Sequence, residues 1–198
     1  MRRDAPRGLT LVELVLVMAI TSILALMTPL LMFYGVKTMV FMPKALAVNQ
    51  VASEILQQTI EGGWSSLTGQ TVRGLRFAVR DTSEAAVWQR QANQVGFRTS
   101  DNQCVLIQLS SGVLRRFNWP ATPNTPCGSP QGGSENFPYD NTMGVQIIAP
   151  DGLLFQYYSP GGVIRRVDIA FRTQTGSGLF EEGNAREDIS SSVAIRVP

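Results

Sequence analysis

No residue from Leu14 to Val36 carries a charge, and almost every one is apolar. At about 1.5 Å of rise per residue such a stretch makes a helix about 34 Å long, enough to cross a bilayer core of about 30 Å. This segment constrains the chain more than any other, because a helix apolar on all sides needs lipid or other helices around it. It also explains a composition that is 44% hydrophobic and only 16% charged in 198 residues. That length accommodates one ordinary domain plus an extension.

The charge pattern orients the segment. The formal charge of +2 resides at the N-terminus, where Arg2, Arg3 and Arg7 outnumber Asp4. Beyond residue 8 the basic and acidic residues are equal in number. A balanced remainder has no electrostatic footprint for nucleic acid, so no nucleic-acid partner is expected. The arginines before the run, against Lys37 and Lys44 after it, predict a cytoplasmic N-terminus and a translocated C-terminal part by the positive-inside bias. In that compartment Cys104 and Cys127 are a possible disulfide, tying a Pro/Gly-rich loop to a strand; two buried free thiols are the alternative.

A secretory signal places its small-residue cleavage site after a short apolar core. Here the small residue, Gly8, stands before the run and directly after Arg7. The string Arg7-Gly8-Leu9-Thr10-Leu11-Val12-Glu13-Leu14-Val15, followed by the apolar helix, resembles the type IV pilin and type II secretion pseudopilin superfamily. The resemblance implies cleavage between Gly8 and Leu9 by a prepilin peptidase and N-methylation of Leu9, which stands where the family more often has Phe. It also implies a role for Glu13. A carboxylate in a lipid-embedded run costs about 2.5 kcal/mol or more and usually has a partner; by resemblance the partner is the amine of Leu9 on a neighbouring subunit, an assembly salt bridge.

The expected organisation is a leader over 1–8, a transmembrane and filament-core helix over 9–36, an amphipathic second half over 37–62, and a β-rich periplasmic head over 63–198. Pro29 is expected to kink or loosen the helix, since it removes a donor and crowds the previous turn. Val48, Val51, Ala52, Ile55, Leu56 and Ile60 recur at spacings of three and four, a stripe for a sheet to cover. Gly62-Gly63 end the helix.

Beyond Gly63 the period becomes two. Leu75, Phe77 and Val79 alternate with polar or small residues, as do Val105, Ile107 and Leu109, and each set predicts a half-buried strand. Ser110-Ser111-Gly112 predicts a turn returning through Val113 to Trp119. Val145 to Ala149, Leu153 to Tyr158 and Val163 to Arg172 predict a three-stranded meander, and Ser191 to Val197 a last strand. Pro120 to Thr142 and Thr173 to Asp188 predict long loops. The second carries Glu181, Glu182, Glu187 and Asp188 with Gly176, Gly178 and Gly183. Calcium is possible there, but the spacing fits no ligand pattern and a solvated acidic loop is preferred; no metal residue and no cofactor is assigned.

The fold class is therefore α+β: a long N-terminal helix packed against an antiparallel β-sheet, which is also the architecture the resemblance implies. Within the superfamily the chain looks most like PilW-type minor pilins and J-type pseudopilins, through Val95–Thr99, Gly112–Arg116, Ile164–Ile169 and Ser192–Arg196.

Catalytic chemistry finds little to work with. There is no histidine, hence no Ser-His-Asp or Cys-His set, and there is no phosphate-cradling loop with a lysine. An enzyme is not expected. Trp119, Phe137, Tyr139, Tyr157 and Tyr158 are read as packing rather than as a binding surface. The function expected is a minor pilin or pseudopilin that initiates or caps a type IV pilus or related secretion filament. The alternatives are a major pilin, or a single-pass periplasmic adhesin or binding protein that does not polymerise. Implied partners are the prepilin peptidase, other minor pilins, the major pilin or pseudopilin, and the assembly platform of the bacterial inner membrane. Motility, adhesion, DNA uptake and secretion share this N-terminal chemistry and are not separated by it.

Overall fold

The computed structural model describes residues 10–81, 85–137, 144–175 and 185–195. It divides into a first unit ending at Met42 and a second from Pro43 onward. One helix, α1 (Leu11–Ile60), contributes to both. In the first unit α1 is exposed on every side, Leu24 at 59%, Phe33 at 67% and Tyr34 at 64% included. The helix runs uninterrupted through Pro29, Gly35 and Pro43, so the loosening expected at Pro29 does not break it. A proline in a helix of this length forfeits one backbone hydrogen bond while the turns on either side keep theirs.

In the second unit α1 turns amphipathic and buries Val48, Val51, Ala52 and Ile55, with Leu56 and Ile60 packed beside them. It ends before Gly62, whose φ of +92° is costly for any residue with a Cβ. A hairpin follows that alternation did not predict: β1 (Gly62–Ser65) and β2 (Gln70–Arg73). The strand expected over Leu75 to Val79 is instead a 3₁₀ turn at Leu75–Phe77. Its amides bond locally, Phe77 N–H to Gly74 O and Ala78 N–H to Leu75 O, and the segment meets the chain beyond it only at its end, through an isolated Ala78–Thr99 bridge with Val79 N–H donating to Arg98 O and Ser100 N–H to Phe77 O.

The larger sheet is an antiparallel ladder of β3 (Val87–Gln91), β4 (Gln94–Arg98), β5 (Gln103–Ser110), β6 (Val113–Pro120) and β7 (Ser134–Phe137), in that order. The predicted β5–β6 hairpin is present. Its two turn residues, Ser111 and Gly112, both have positive φ, the conformation whose twist matches the flanking strands. β7 falls inside the expected Pro120–Thr142 loop, so that loop is shorter than composition suggested; its last part, 138–142, lies outside the described residues.

The second sheet differs from a meander. β8 (Val145–Ile148) and β9 (Phe155–Tyr158) do not pair with each other; both pair with β10 (Arg166–Thr175), at opposite ends of it. Pro150-Asp151-Gly152 forms a 3₁₀ turn with Asp151 at φ 54°, which steps the chain sideways without reversing it. β11 (Arg186–Ala194) covers the other side of β10. It starts earlier than the expected Ser191, which places Glu187 and Asp188 on a strand. Glu181, Glu182 and the glycines before them lie outside the described residues.

Both sheets and the second half of α1 share one core, to which Ile55, Phe97, Ile107, Leu154, Ile169 and Phe171 all belong. Along β10, Val167, Ile169, Phe171, Thr173 and Thr175 are buried and alternate with half-buried or exposed residues. The buried Thr173 hydroxyl donates to Val48 O of α1 at 3.5 Å, which gives a polar core position a partner. β5 is buried on both faces. Val105 and Ile107 face the main core, whereas Cys104 and Leu106 join Trp119 and Cys127 in a second cluster.

Candidate functional site: the start of the apolar helix

Gly8 and Leu9, the expected cleavage and methylation positions, lie outside the described residues, as does the leader with Arg2, Arg3 and Arg7. The description begins at Thr10, which caps α1. Glu13 N–H donates to Thr10 Oγ1 at 3.3 Å, and Glu13 Oε2 in return accepts from Thr10 N–H at 2.8 Å and from the Thr10 hydroxyl at 3.0 Å. The first helical backbone bond follows, from Leu14 N–H to Thr10 O at 3.1 Å. This reciprocal arrangement is a capping box, a threonine at the N-cap and a glutamate three residues on, each satisfying an orphaned amide of the other. Sequence reasoning missed it although its signal, Thr10-x-x-Glu13, is local and legible.

The box fixes what Glu13 can do. Oε2 is engaged by Thr10, while Oε1 accepts no hydrogen bond from a described residue. The helix N-terminus also has the partial positive charge that favours a carboxylate there. The side chain is thus held at the end of the apolar surface by Thr10 through Oε2.

The serine and threonine hydroxyls of the apolar segment and the turn after it bond within the helix. Thr21 donates to Val17 O at 2.8 Å, Ser22 to Met18 O at 2.7 Å, Thr28 to Leu24 O at 2.8 Å and Thr38 to Tyr34 O at 2.8 Å. Serine and threonine side chains that return to the helix's own carbonyls can enter an apolar environment without being left unsatisfied. Among the described residues α1 is the one helix long and apolar enough to cross a membrane. A continuous exposed apolar surface of this extent is covered by lipid or by other chains.

In the second unit Cys104 and Cys127 form a disulfide, with their Cα atoms 5.7 Å apart. It ties β5 to the segment after β6. Trp119 Nε1–H adds a bond to Cys127 O at 3.2 Å, and the Trp88 ring meets Trp119 edge-on at 6.2 Å. Of the other aromatic residues considered, Tyr157 is half-buried and donates to Gln94 O at 2.8 Å, its burial pushing the phenol well above its usual range. Tyr158 is exposed with the Arg166 guanidinium over its ring at 5.2 Å. The side chains of Phe137 and Tyr139 lie outside the described residues. Among the described residues no three of His, Cys, Asp and Glu gather as a metal site. Asp188 is held by Arg172 at 2.5 Å and by Arg186 at 3.2 Å.

The family described as the prokaryotic N-terminal methylation motif matches residues 3–28. The span takes in the capping box and the first turns of the apolar helix, and it is a prepilin signal of the type IV pilin and pseudopilin kind. No curated protein and no solved structure matches the chain. The motif supports a type IV pilin- or pseudopilin-type precursor, and the apolar helix fits a membrane-anchored one. Such a signal implies processing by a prepilin peptidase and handling by pilus-assembly machinery.

Proposed function

We propose that the chain is a minor pilin or pseudopilin that initiates or caps a filament of the type IV pilus or a related secretion system. Its leader is removed between Gly8 and Leu9, and the new amine of Leu9 is methylated. The helix waits in the bacterial inner membrane with the β-rich head in the periplasm. An assembly platform then transfers the helix from lipid into a bundle of like helices. Transfer between two apolar surroundings changes little apolar exposure, so the energetic cost falls on the charge.

The observation that carries this reading is Glu13: a carboxylate at the head of an exposed apolar helix, positioned by Thr10 through one oxygen, the other accepting no hydrogen bond among the described residues. The Leu9 amine of a neighbouring subunit is the cation it is read to accept, and this contact sets the axial step. A low-copy position at the tip is favoured over the shaft by the irregular segment of residues 121–133 and by the broad two-sheet head, which are hard to repeat in dense helical packing.

The test is a pair of variants in the native host. Gly8→Val should leave the leader attached, seen as an unshifted band and an unmethylated N-terminus. Glu13→Ala should be cleaved normally and be absent from sheared filaments. Normal assembly of Glu13→Ala would overturn the role read for Glu13, and absence of the wild-type protein from sheared filaments would favour a single-pass protein that does not polymerise. Wild-type protein present in sheared filaments at the level of the main subunit would identify a major pilin instead.

A further inference from the structure

β11 is the outer strand of the second sheet, with β10 on one side of it. The register shows where its remaining backbone groups go. At the two ends of the pair Thr175 N–H donates to Ala185 O at 3.1 Å and Ile195 N–H to Arg165 O at 2.9 Å. In an antiparallel ladder residues alternate between bonding to the neighbour and turning away from it. The odd-numbered residues of β11 therefore bond to β10, and Arg186, Asp188, Ser190, Ser192 and Ala194 turn both N–H and C=O outward. Among the described residues none of these outward backbone groups has a hydrogen-bond partner. They repeat over about 27 Å, at about 3.4 Å of rise per residue.

Other edges of the head are closed. β8 donates from Ile147 N–H to Gly112 O at 3.0 Å, and β9 from Phe155 N–H to Ala92 O at 2.9 Å. β3 is broken by a bulge between Val87 and Gln89, and its Gln91 O accepts from the Tyr157 hydroxyl at 3.2 Å. β11 has none of these devices. Its register with β10 is unbroken, it contains no proline and no lysine, and Ser190, Ser192 and Ala194 are too small to shield the amides behind them. A row of outward amides and carbonyls at strand spacing is complemented by another extended strand.

The side chains narrow the chemistry of that strand. Val193 belongs to the core and Ile189 packs against it, so apolar residues fit opposite both. Glu187, paired with Thr173 on the same face, is exposed and has no ion-pair partner among the described residues, which favours a basic residue opposite it. A second copy is a poor match. Its β11 would pair antiparallel only about a two-fold axis normal to the sheet, and that axis reverses α1, which lies on the core face with Val48 O against Thr173 of β10. Two chains anchored through α1 from the same side of one membrane cannot be so related.

We propose that β11 accepts an extended segment of a different protein chain as an added antiparallel strand, with apolar residues against Ile189 and Val193 and a basic residue against Glu187. The addition lengthens the second sheet by one strand and does not depend on the role read for Glu13.

The test uses the full-length chain in detergent and an acetylated, amidated peptide, Thr-Val-Thr-Thr-Thr-Val-Thr-Lys-Glu. Laid antiparallel on β11, it sets its valines opposite Val193 and Ile189 and its lysine opposite Glu187. At saturating peptide, amide exchange should slow about tenfold at Ser190 and Ser192. It should not change at Ile189, Ser191 and Val193, which already bond to β10. N-methylation of the peptide's third and fifth residues, whose amides face Ser192 and Ser190, should weaken binding at least about tenfold. Methylation of the fourth and sixth, whose amides face away, should leave it within about twofold. Ser190→Pro removes an outward N–H and no bond to β10, so the head should keep its melting temperature and lose the peptide. Should that variant unfold, the two methylated peptides on the wild-type chain decide. No slowing at Ser190 and Ser192, or equal binding of the two methylated peptides, would overturn the proposal. Slowing that develops without peptide as protein concentration rises would overturn it in favour of a second copy.

Discussion

Arg116 and Glu135 stand directly opposite each other on β6 and β7, guanidinium Nε to carboxylate Oε1 at 2.6 Å, with side chains 1% and 3% exposed. The pair is the centre of a network. Arg116 also donates to Gln58 Oε1 on α1 at 3.0 Å and to Trp64 O on β1 at 2.7 Å. Glu135 Oε2 accepts from Ser66 N–H at 3.0 Å. One buried ion pair thus joins the helix, the small hairpin and the edge of the larger sheet. Burying both charges is expensive unless every donor and acceptor is met, and the Gln58, Trp64 and Ser66 contacts serve that need.

Removing one partner should therefore cost far more than removing both. Glu135→Leu is expected to destabilise the head by about 3 to 5 kcal/mol, because Arg116 is left buried without its counter-charge. Arg116→Met combined with Glu135→Leu should recover part of that loss. Denaturant unfolding followed by tryptophan fluorescence measures both.

The disulfide closes a loop with a sequence separation of 23 residues. Chain-entropy reasoning assigns such a cross-link about 3 kcal/mol. Cys104→Ser with Cys127→Ser should lower the melting temperature accordingly. Limited proteolysis of the variant should cut first within residues 121–133, which lose their tie to β5 while Trp119 stays on β6.

Thr10→Ala removes the N-cap hydroxyl and should cost about 1 kcal/mol of local helix stability. Amide exchange at Glu13, the amide that the Thr10 hydroxyl caps, should then accelerate about fivefold in detergent, with no change in the head. Unaltered exchange would show that the box does not hold the helix start.

Arg172 holds Asp188 across the β10–β11 ladder and lowers the carboxyl below its usual range, Arg186 adding to the effect. A depressed folded value means that the stabilisation is present above the unfolded carboxylate range and is lost as pH falls through the folded value. The melting-temperature difference between wild type and Asp188→Asn should be positive at neutral pH and vanish in strong acid. Both side chains reach solvent, so the difference should also shrink at high salt.

Much of this protein was legible locally. The stripe read from spacing, Val48, Val51, Ala52 and Ile55, is the face α1 buries. The β5–β6 hairpin follows from Ser111-Gly112, whose chemistry is complete within a few residues. The capping box was equally local and was passed over because Glu13 was read for its charge rather than its spacing from Thr10. Where the reading failed, the deciding partner was distant. Leu75 and Phe77 alternate like a strand, yet neighbouring amides satisfy that backbone. Glu187 and Asp188 looked like loop residues because an edge strand exposes its outward side chains.

The sequence by itself determined an apolar helix opened by a prepilin signal, because periodicity and charge act within a few turns of one segment. The tertiary structure alone decided that β8 and β9 line up along β10, that Arg116 meets Glu135, and which β11 residues turn their amides outward. Those outcomes depend on strand register. Register is chosen by which faces bury together across the whole fold, and no local stretch of chain contains that information.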